Sequence, residues 1–182
     1  MAEIVYLDSY EDSEVIYDEL CQPVRDWFRD KFPDFTDPQK MAIPSINAGD
    51  NLLLSSPTGS GKTLTAFLGI IDKLIRKSLD GELEKKVYCV YISPIKALAN
   101  DIQKNLIEPL TEIKSRFLPG RSKDIKVGLR TGDTSQSDRQ KMLRNPPHIL
   151  ITTPESLGLA LASSKFRPLM TDLGWIILDE LH

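Results

Sequence analysis

Two stretches hold residues whose types and spacing could do chemistry. The first is "SSPTGSGKT", Ser55 to Thr63, placed between a short apolar run and a longer amphipathic one. A loop that leaves a strand near Ser55 and enters a helix at Gly61 turns backbone N–H groups and the positive helix end toward one point, which suits a phosphate. Pro57, Thr58, Gly59, Ser60 and Gly61 would wrap that phosphate, with the two glycines allowing unusual dihedrals and close main-chain approach. Lys62 would reach the β- and γ-phosphates of a nucleotide, and the Thr63 hydroxyl would bind Mg2+. The full pattern G-x-x-x-x-G-K-S/T asks for glycine at position 56, where this chain has Ser56. The second stretch is "WIILDELH", an apolar run that delivers Asp179 and Glu180 to its carboxyl end. One carboxylate there can hold Mg2+, usually through water, and the next can polarise an attacking water as general base. Each stretch also has a plain reading, a glycine-rich turn with a surface lysine and a pair of helix-capping acids. Found together they point to a nucleotide site with Lys62, Asp179 and Glu180 as its catalytic groups.

The intervening sequence predicts what must position them. Short runs rich in Val, Ile and Leu occur at 51–56, 86–93, 125–130, 148–153 and 175–180. Their near-continuous apolar character is that of strands buried on both faces of a parallel sheet. Between them lie helical periodicities, with Leu64, Phe67, Leu68, Ile71, Leu74 and Ile75 on one stripe and Leu98, Ile102, Leu106 and Leu110 on another. Alternating strands and helices predict an α/β fold, a mostly parallel sheet with helices on both faces. The carboxyl ends of its strands are then the place for a ligand.

Composition sets the bounds. The chain has 182 residues with 41% hydrophobic and 7% aromatic content, enough for one domain with a real core. No apolar run reaches the roughly 18 residues that cross a bilayer, and the acidic start lacks the basic character of a secretion signal, so a cytoplasmic protein is expected. Cys21 and Cys89 are read as reduced thiols and not as metal ligands. Net charge is −3, yet residues 1–24 carry seven carboxylates and no Lys or Arg, so the remaining body stands at +4. Any nucleic-acid contact would come from placed loops and helix ends, because bulk charge is too small to supply it. Residues 1–24 are read as an acidic N-terminal extension, solvated or partly helical, ahead of a domain over 25–182.

With these pieces in order, the chain resembles the first RecA-like lobe of superfamily 2 helicases of the DExH kind. "SPTGSGKT" and "DELH" carry the nucleotide part of the resemblance. "TDPQKMAIPSINAGDN" resembles the family's Q motif, which implies that Gln39 reads the adenine edge and that Phe35 or Phe32 packs near the base. "ISPIKALAND", "RTGD" and "ITTPESL" resemble the elements that touch the nucleic-acid backbone in that family. This implies a single-strand contact by Pro94, Lys96, Arg130, Thr131, Gly132, Thr153, Pro154 and Glu155. A small residue at position 56 is a mild departure within the family. His182, placed after "DEL", would couple ATP to the nucleic-acid site. The wording of "FTDPQKMAIPSI" and "SPTGSGKTLTAFL" is closest to the large-helicase-related branch, whose members translocate on single strands of DNA or RNA and unwind duplexes.

The same elements have local readings. Thr153, Pro154 and Glu155 form a cap, an N1 proline and an acidic first turn, and Asp133 or Thr134 could cap the helix that follows. An exposed helix start is itself a phosphate-binding device, so capping and contact are compatible. The family's Ser-Ala-Thr motif and its second lobe, with an arginine finger worth about 10³ to 10⁵ in rate, do not follow within these residues. ATP and Mg2+ are therefore the expected cofactors, and the isolated chain is expected to be nearly inactive. A P-loop small-molecule kinase and a nucleotide-binding module without turnover remain as other readings of the same loop.

Overall fold

The computed structural model describes residues 4–57, 59–94, 101–118, 120 and 123–179. Its described part is an α/β layer built on four parallel strands: β1 (Cys89–Ile92), β2 (Val127–Arg130), β3 (Ile149–Thr152) and β4 (Trp175–Leu178). The spatial order is β2-β3-β1-β4, with Cys89 level with both Ile149 and Trp175. All four strands therefore end on one edge, at Ile92, Arg130, Thr152 and Leu178.

Side chains alternate across the strands, and two cores result. Cys89, Tyr91, Ile149 and Ile151 face the larger one. It is closed by α1 (Ser13–Glu19), α2 (Gln22–Lys31), α3 (Asp37–Ala48), α4 (Lys62–Leu79) and α5 (Glu108–Phe117). Val90, Ile92 and Leu150 face the smaller core, which is covered by α6 (Gln136–Arg144), α7 (Pro154–Ala162) and a 3-10 turn, Arg167–Met170. The expected helices on both faces are present. The predicted α4 stripe is buried along its full length, from Leu64 to Ile75. Gly69 lets α4 close on α3, because a Cβ there would stand 2.9 Å from Ile46 Cγ2.

Two sequence expectations need correction. Residues 51–57 form no strand, and Leu53 is 84% exposed. An apolar run becomes a strand only when a neighbouring strand supplies its hydrogen bonds, and none pairs with it among the described residues. Burial on both faces holds for β1 and β3, whereas edge strand β4 leaves Ile176 and Leu178 exposed. The acidic N-terminal segment is packed on the rest of the chain. Ile16, Tyr17 and Leu20 are all buried in the larger core, and Cys21 N–H donates to Asp72 Oδ1 of α4 at 2.6 Å. The acids of α1 point outward while its apolar side docks, which net charge along a segment cannot show.

The helix with the second predicted stripe contains a π turn, Gln103–Ile107, just before Pro109. Proline lacks an N–H and crowds the carbonyl four residues earlier, so a widened turn relieves the clash. Ile102 and Leu106 are buried as expected, and Leu98 lies outside the described residues.

Replacing Ile16 by alanine should destabilise the chain by about 2–5 kcal/mol in urea denaturation; a merely solvated extension would give no change. His148 supplies a second test. Its Nδ1 accepts from Lys126 N–H at 2.9 Å, and burial, then Lys126, pushes its pKa below the ordinary 6.5. The unfolded chain then binds a proton that the folded chain resists, so stability present above pH 6.5 is lost as the pH falls below it. Thermal melts between pH 7 and 5 should show this decline, and His148→Gln should flatten it.

Candidate functional site

The helix α4 begins at Lys62, and Gly61 at its N-cap provides no side chain to satisfy the first N–H groups. An 18-residue helix thus opens with uncapped donors and a positive dipole end, preceded by Gly59 and Gly61 at φ of 81° and 88°. Lys62 Nζ donates to the carbonyls of Ser56 and of Pro57, the latter at 2.9 Å. The ammonium is thereby folded into the loop's own hollow against neutral oxygens. Ser56, the departure from the glycine pattern, shares a 2.6 Å hydroxyl–hydroxyl hydrogen bond with Ser60 across the loop. Thr58 lies outside the described residues.

The start of α3 braces this loop from behind. Thr36 Oγ1 donates to Ser60 O at 3.1 Å, and Thr36 N–H donates to Gln39 Oε1 at 2.9 Å. Gln39 is buried, and its Nε2 would stand only 3.1 Å from a Cβ added to Gly61. Thr36 escaped the sequence reading, although the "TDPQ" spacing is that of a capping box and could have disclosed it. Phe35 is fully enclosed, stacked on Phe28 at 4.2 Å and tilted against Tyr17 at 4.6 Å. Its ring therefore anchors the core; Phe32, the other candidate, is only partly buried.

Asp179 follows β4, and its N–H extends the ladder by donating to Ile92 O at 2.9 Å. Tyr91 of β1 is level with Ile177, and its phenol donates to Asp179 Oδ2 two residues further along. Burial, then this carboxylate, raises the Tyr91 pKa above its ordinary value, so the phenol keeps its proton. The ring of Tyr91 packs at 5.1 Å on Phe67 of α4, one helical turn beyond Thr63. At the far end of the same pairing Lys73 of α4 lies over the Trp175 ring. Helix α4 thus runs against the direction of β4, and Lys62 and Thr63 come to the edge that carries Asp179. Glu180 and His182 lie outside the described residues.

The remaining predicted residues form a row along that edge, in the order set by β2, β3 and β1. Thr131 and Gly132 follow β2, Thr153 to Glu155 follow β3, and Pro94 follows β1. Neighbouring strands are about 4.8 Å apart, so this row spans roughly 10 Å. Thr153 caps α7 by accepting from Ser156 N–H, with Pro154 and Glu155 exposed in the first turn. Thr152 Oγ1 donates to Arg130 O at 2.8 Å and ties the first two loops together. The cap of α6 is Ser135, which accepts from Asp138 N–H, and not Asp133 or Thr134; Thr134 Oγ1 instead accepts from Thr131 N–H. Arg130 is 7% exposed, with its guanidinium 4.5 Å over the Phe166 ring. Arg139, unforeseen in the sequence, donates to the carbonyls of Thr131 and Gly132. Lys96 lies outside the described residues.

A glycine loop at a helix start, a carboxylate at the end of a parallel strand and a row of polar turns beside them are what a nucleotide-driven motor lobe requires. Residues 36–182 match the family described as DEAD/DEAH box helicase, and the chain belongs to that family. It is 54% identical over 173 residues to "ATP-dependent helicase Lhr-Core" of Saccharolobus solfataricus, covering 95% of this chain and 19% of that protein. It is 48% identical to the protein of the same name from Methanocaldococcus jannaschii, covering all of this chain and 22% of that one. A solved structure, described as Mycobacterium smegmatis helicase Lhr bound to ssDNA and AMP-PNP, is similar at 41% identity with a TM-score of 0.78, over 91% of this chain and 21% of that one. The chain therefore spans about a fifth of the length of these relatives. The expected RecA-like α/β lobe and the resemblance to the large-helicase-related branch both stand, and no described helix is long and apolar enough to cross a membrane.

Gly61 offers a direct test of the bracing. Gly61→Ala places a methyl group against Gln39 in a left-handed backbone, which costs about 1–3 kcal/mol. Binding of a fluorescent ATP analogue should weaken correspondingly, whereas Gly132→Ala, where nothing lies within 4 Å, should bind as the parent does.

Proposed function

We propose that this chain is the ATP-binding lobe of an ATP-dependent nucleic-acid helicase or translocase, working in the cytoplasm. The observation that supports the reading most is the packing of Phe67, one turn after Thr63 on α4, against Tyr91, whose phenol bonds Asp179 at the end of β4. Pro57 to Gly61 would hold the triphosphate by backbone N–H groups, and Lys62 would exchange its carbonyl partners for β- and γ-phosphate oxygens. Those present partners are neutral and weak, so the exchange favours an anion. Thr63 and Asp179 offer the hard oxygen donors that suit Mg2+, which when bound would neutralise charge developing on the transferred phosphate. Glu180 would polarise the attacking water, and Gln39, with Phe35 or Phe32 packing near the base, would receive the adenine.

The polar turns beside this site would take a single strand of DNA or RNA. Helix α7 offers its capped N-terminus to a phosphate, and Thr131 and Gly132, held by Arg139, lie beside it. The strand order sets these turns next to the nucleotide residues, because β1 adjoins β4. His182 would relay between the two, and a second RecA-like lobe would complete the hydrolysis site. The lobe takes in α1, since that helix shares the larger core. Membership of the helicase family removes the small-molecule kinase reading.

Mg-ATP hydrolysis measured with and without single-stranded DNA and RNA tests this reading. In a longer protein that carries these residues, a strand should stimulate turnover, and Lys62→Ala should lower it by about 10² to 10³ or more. The 182-residue chain alone should turn over hardly at all. A longer protein indifferent to every strand would reduce it to a nucleotide-binding module.

A further inference from the structure

Tyr91 sits where neither the phosphate loop nor the acidic stretch would lead one to look. It is the third residue of an interior strand and is 2% exposed, yet its hydroxyl reaches the half-buried carboxylate that ends the neighbouring strand. A phenol held this deeply must satisfy its O–H. Here the acceptor is the side chain read above as the metal carboxylate.

The geometry explains why the contact is rigid. Tyr91 is level with Ile177, and Asp179 lies two residues on, so the side chains of Tyr91 and Asp179 share the sheet face that carries α4. The Tyr91 ring is also packed against Phe67, one turn after Thr63. One aromatic side chain is thus fixed by the helix that presents Lys62 and Thr63 and fixes in turn the carboxylate opposite them. A donor attached to one carboxylate oxygen sets the plane of the group, and so the direction of its second oxygen.

We propose that Tyr91 is a positioning residue that aims the Asp179 carboxylate at the divalent cation of the bound nucleotide. The proposal rests on the reading of Asp179 given above. Tyr91 itself touches neither nucleotide nor metal. Its contribution is to make the carboxylate's orientation a property of the packed core instead of an exposed loop.

Manganese binding measured by electron paramagnetic resonance on the 182-residue chain saturated with AMP-PNP provides the test. Tyr91→Phe keeps the ring on Phe67 and removes only the hydroxyl. It should weaken Mn2+ binding by about ten- to a hundredfold while leaving metal-free AMP-PNP binding and the melting temperature unchanged. In an Asp179→Asn background the added Tyr91→Phe change should have no further effect on Mn2+, an interaction that general loosening of the core would not produce. Phe67→Leu, which frees the ring but keeps the hydroxyl, should give a smaller loss of Mn2+ affinity. Normal Mn2+ binding by Tyr91→Phe, alongside a loss in Asp179→Asn, would overturn the positioning role and leave Asp179 as the metal carboxylate. Normal binding by both variants, or none by the parent chain, would overturn the Asp179 reading and the role of Tyr91 with it.

Discussion

The candidate nucleotide site depends on the seating of α4 against the parallel sheet. The contact that matters most is the one between Phe67 and Tyr91, because it lies between the helix start and the strand end. A helix start provides donors and a partial positive charge, and a strand end can provide a carboxylate, but neither is a nucleotide site by itself. Packing holds them at a fixed distance, and aromatic rings do this well since they bury a large area with few rotatable bonds. The Tyr91 hydroxyl adds a directional bond at the point where that packing meets Asp179.

Behind the phosphate loop a second group of contacts limits how far it can move. Thr36 and Gln39 close the start of α3 on each other and press on Ser60 and Gly61. That start is anchored in turn by Phe35, which stacks on Phe28 and tilts against Tyr17. The acidic first helix is therefore connected to the loop through an aromatic cluster. Asp72 strengthens the connection by accepting from Cys21 N–H and pairing with Arg76. A buried carboxylate with two such donors is satisfied, and it ties the N-terminal segment to the middle of α4.

Strand order arranges the turns along the sheet edge. The three turns after β2, β3 and β1 stand side by side, and Asp179 follows on β4. Arg130, the last residue of β2, is nearly buried, with its guanidinium over Phe166 of the smaller core. Burial, then Arg139, lowers its pKa from the ordinary value, in keeping with a cation surrounded by apolar groups and a like charge.

Much of this was legible in the residues alone. The left-handed backbone at Gly59 and Gly61, the α4 stripe, the strand positions of β1 to β4 and the cap at Thr153 all follow from local chemistry: glycine dihedrals, helical period and side-chain capping act over a few residues. The sequence also placed a strand at 51–56, which yielded to the fold, and it did not show that α1 packs on the larger core. A strand exists only with a partner, and a helix belongs to a domain only if its apolar side finds a core; both are decided by residues far away in the chain. Tertiary structure alone buried the Phe35 ring against Phe28, set Gln39 against Gly61 and brought the Tyr91 phenol to Asp179. Those contacts join residues up to 88 positions apart, and no pattern in an apolar run such as "VYCVYI" announces which side chain will reach across to the neighbouring strand.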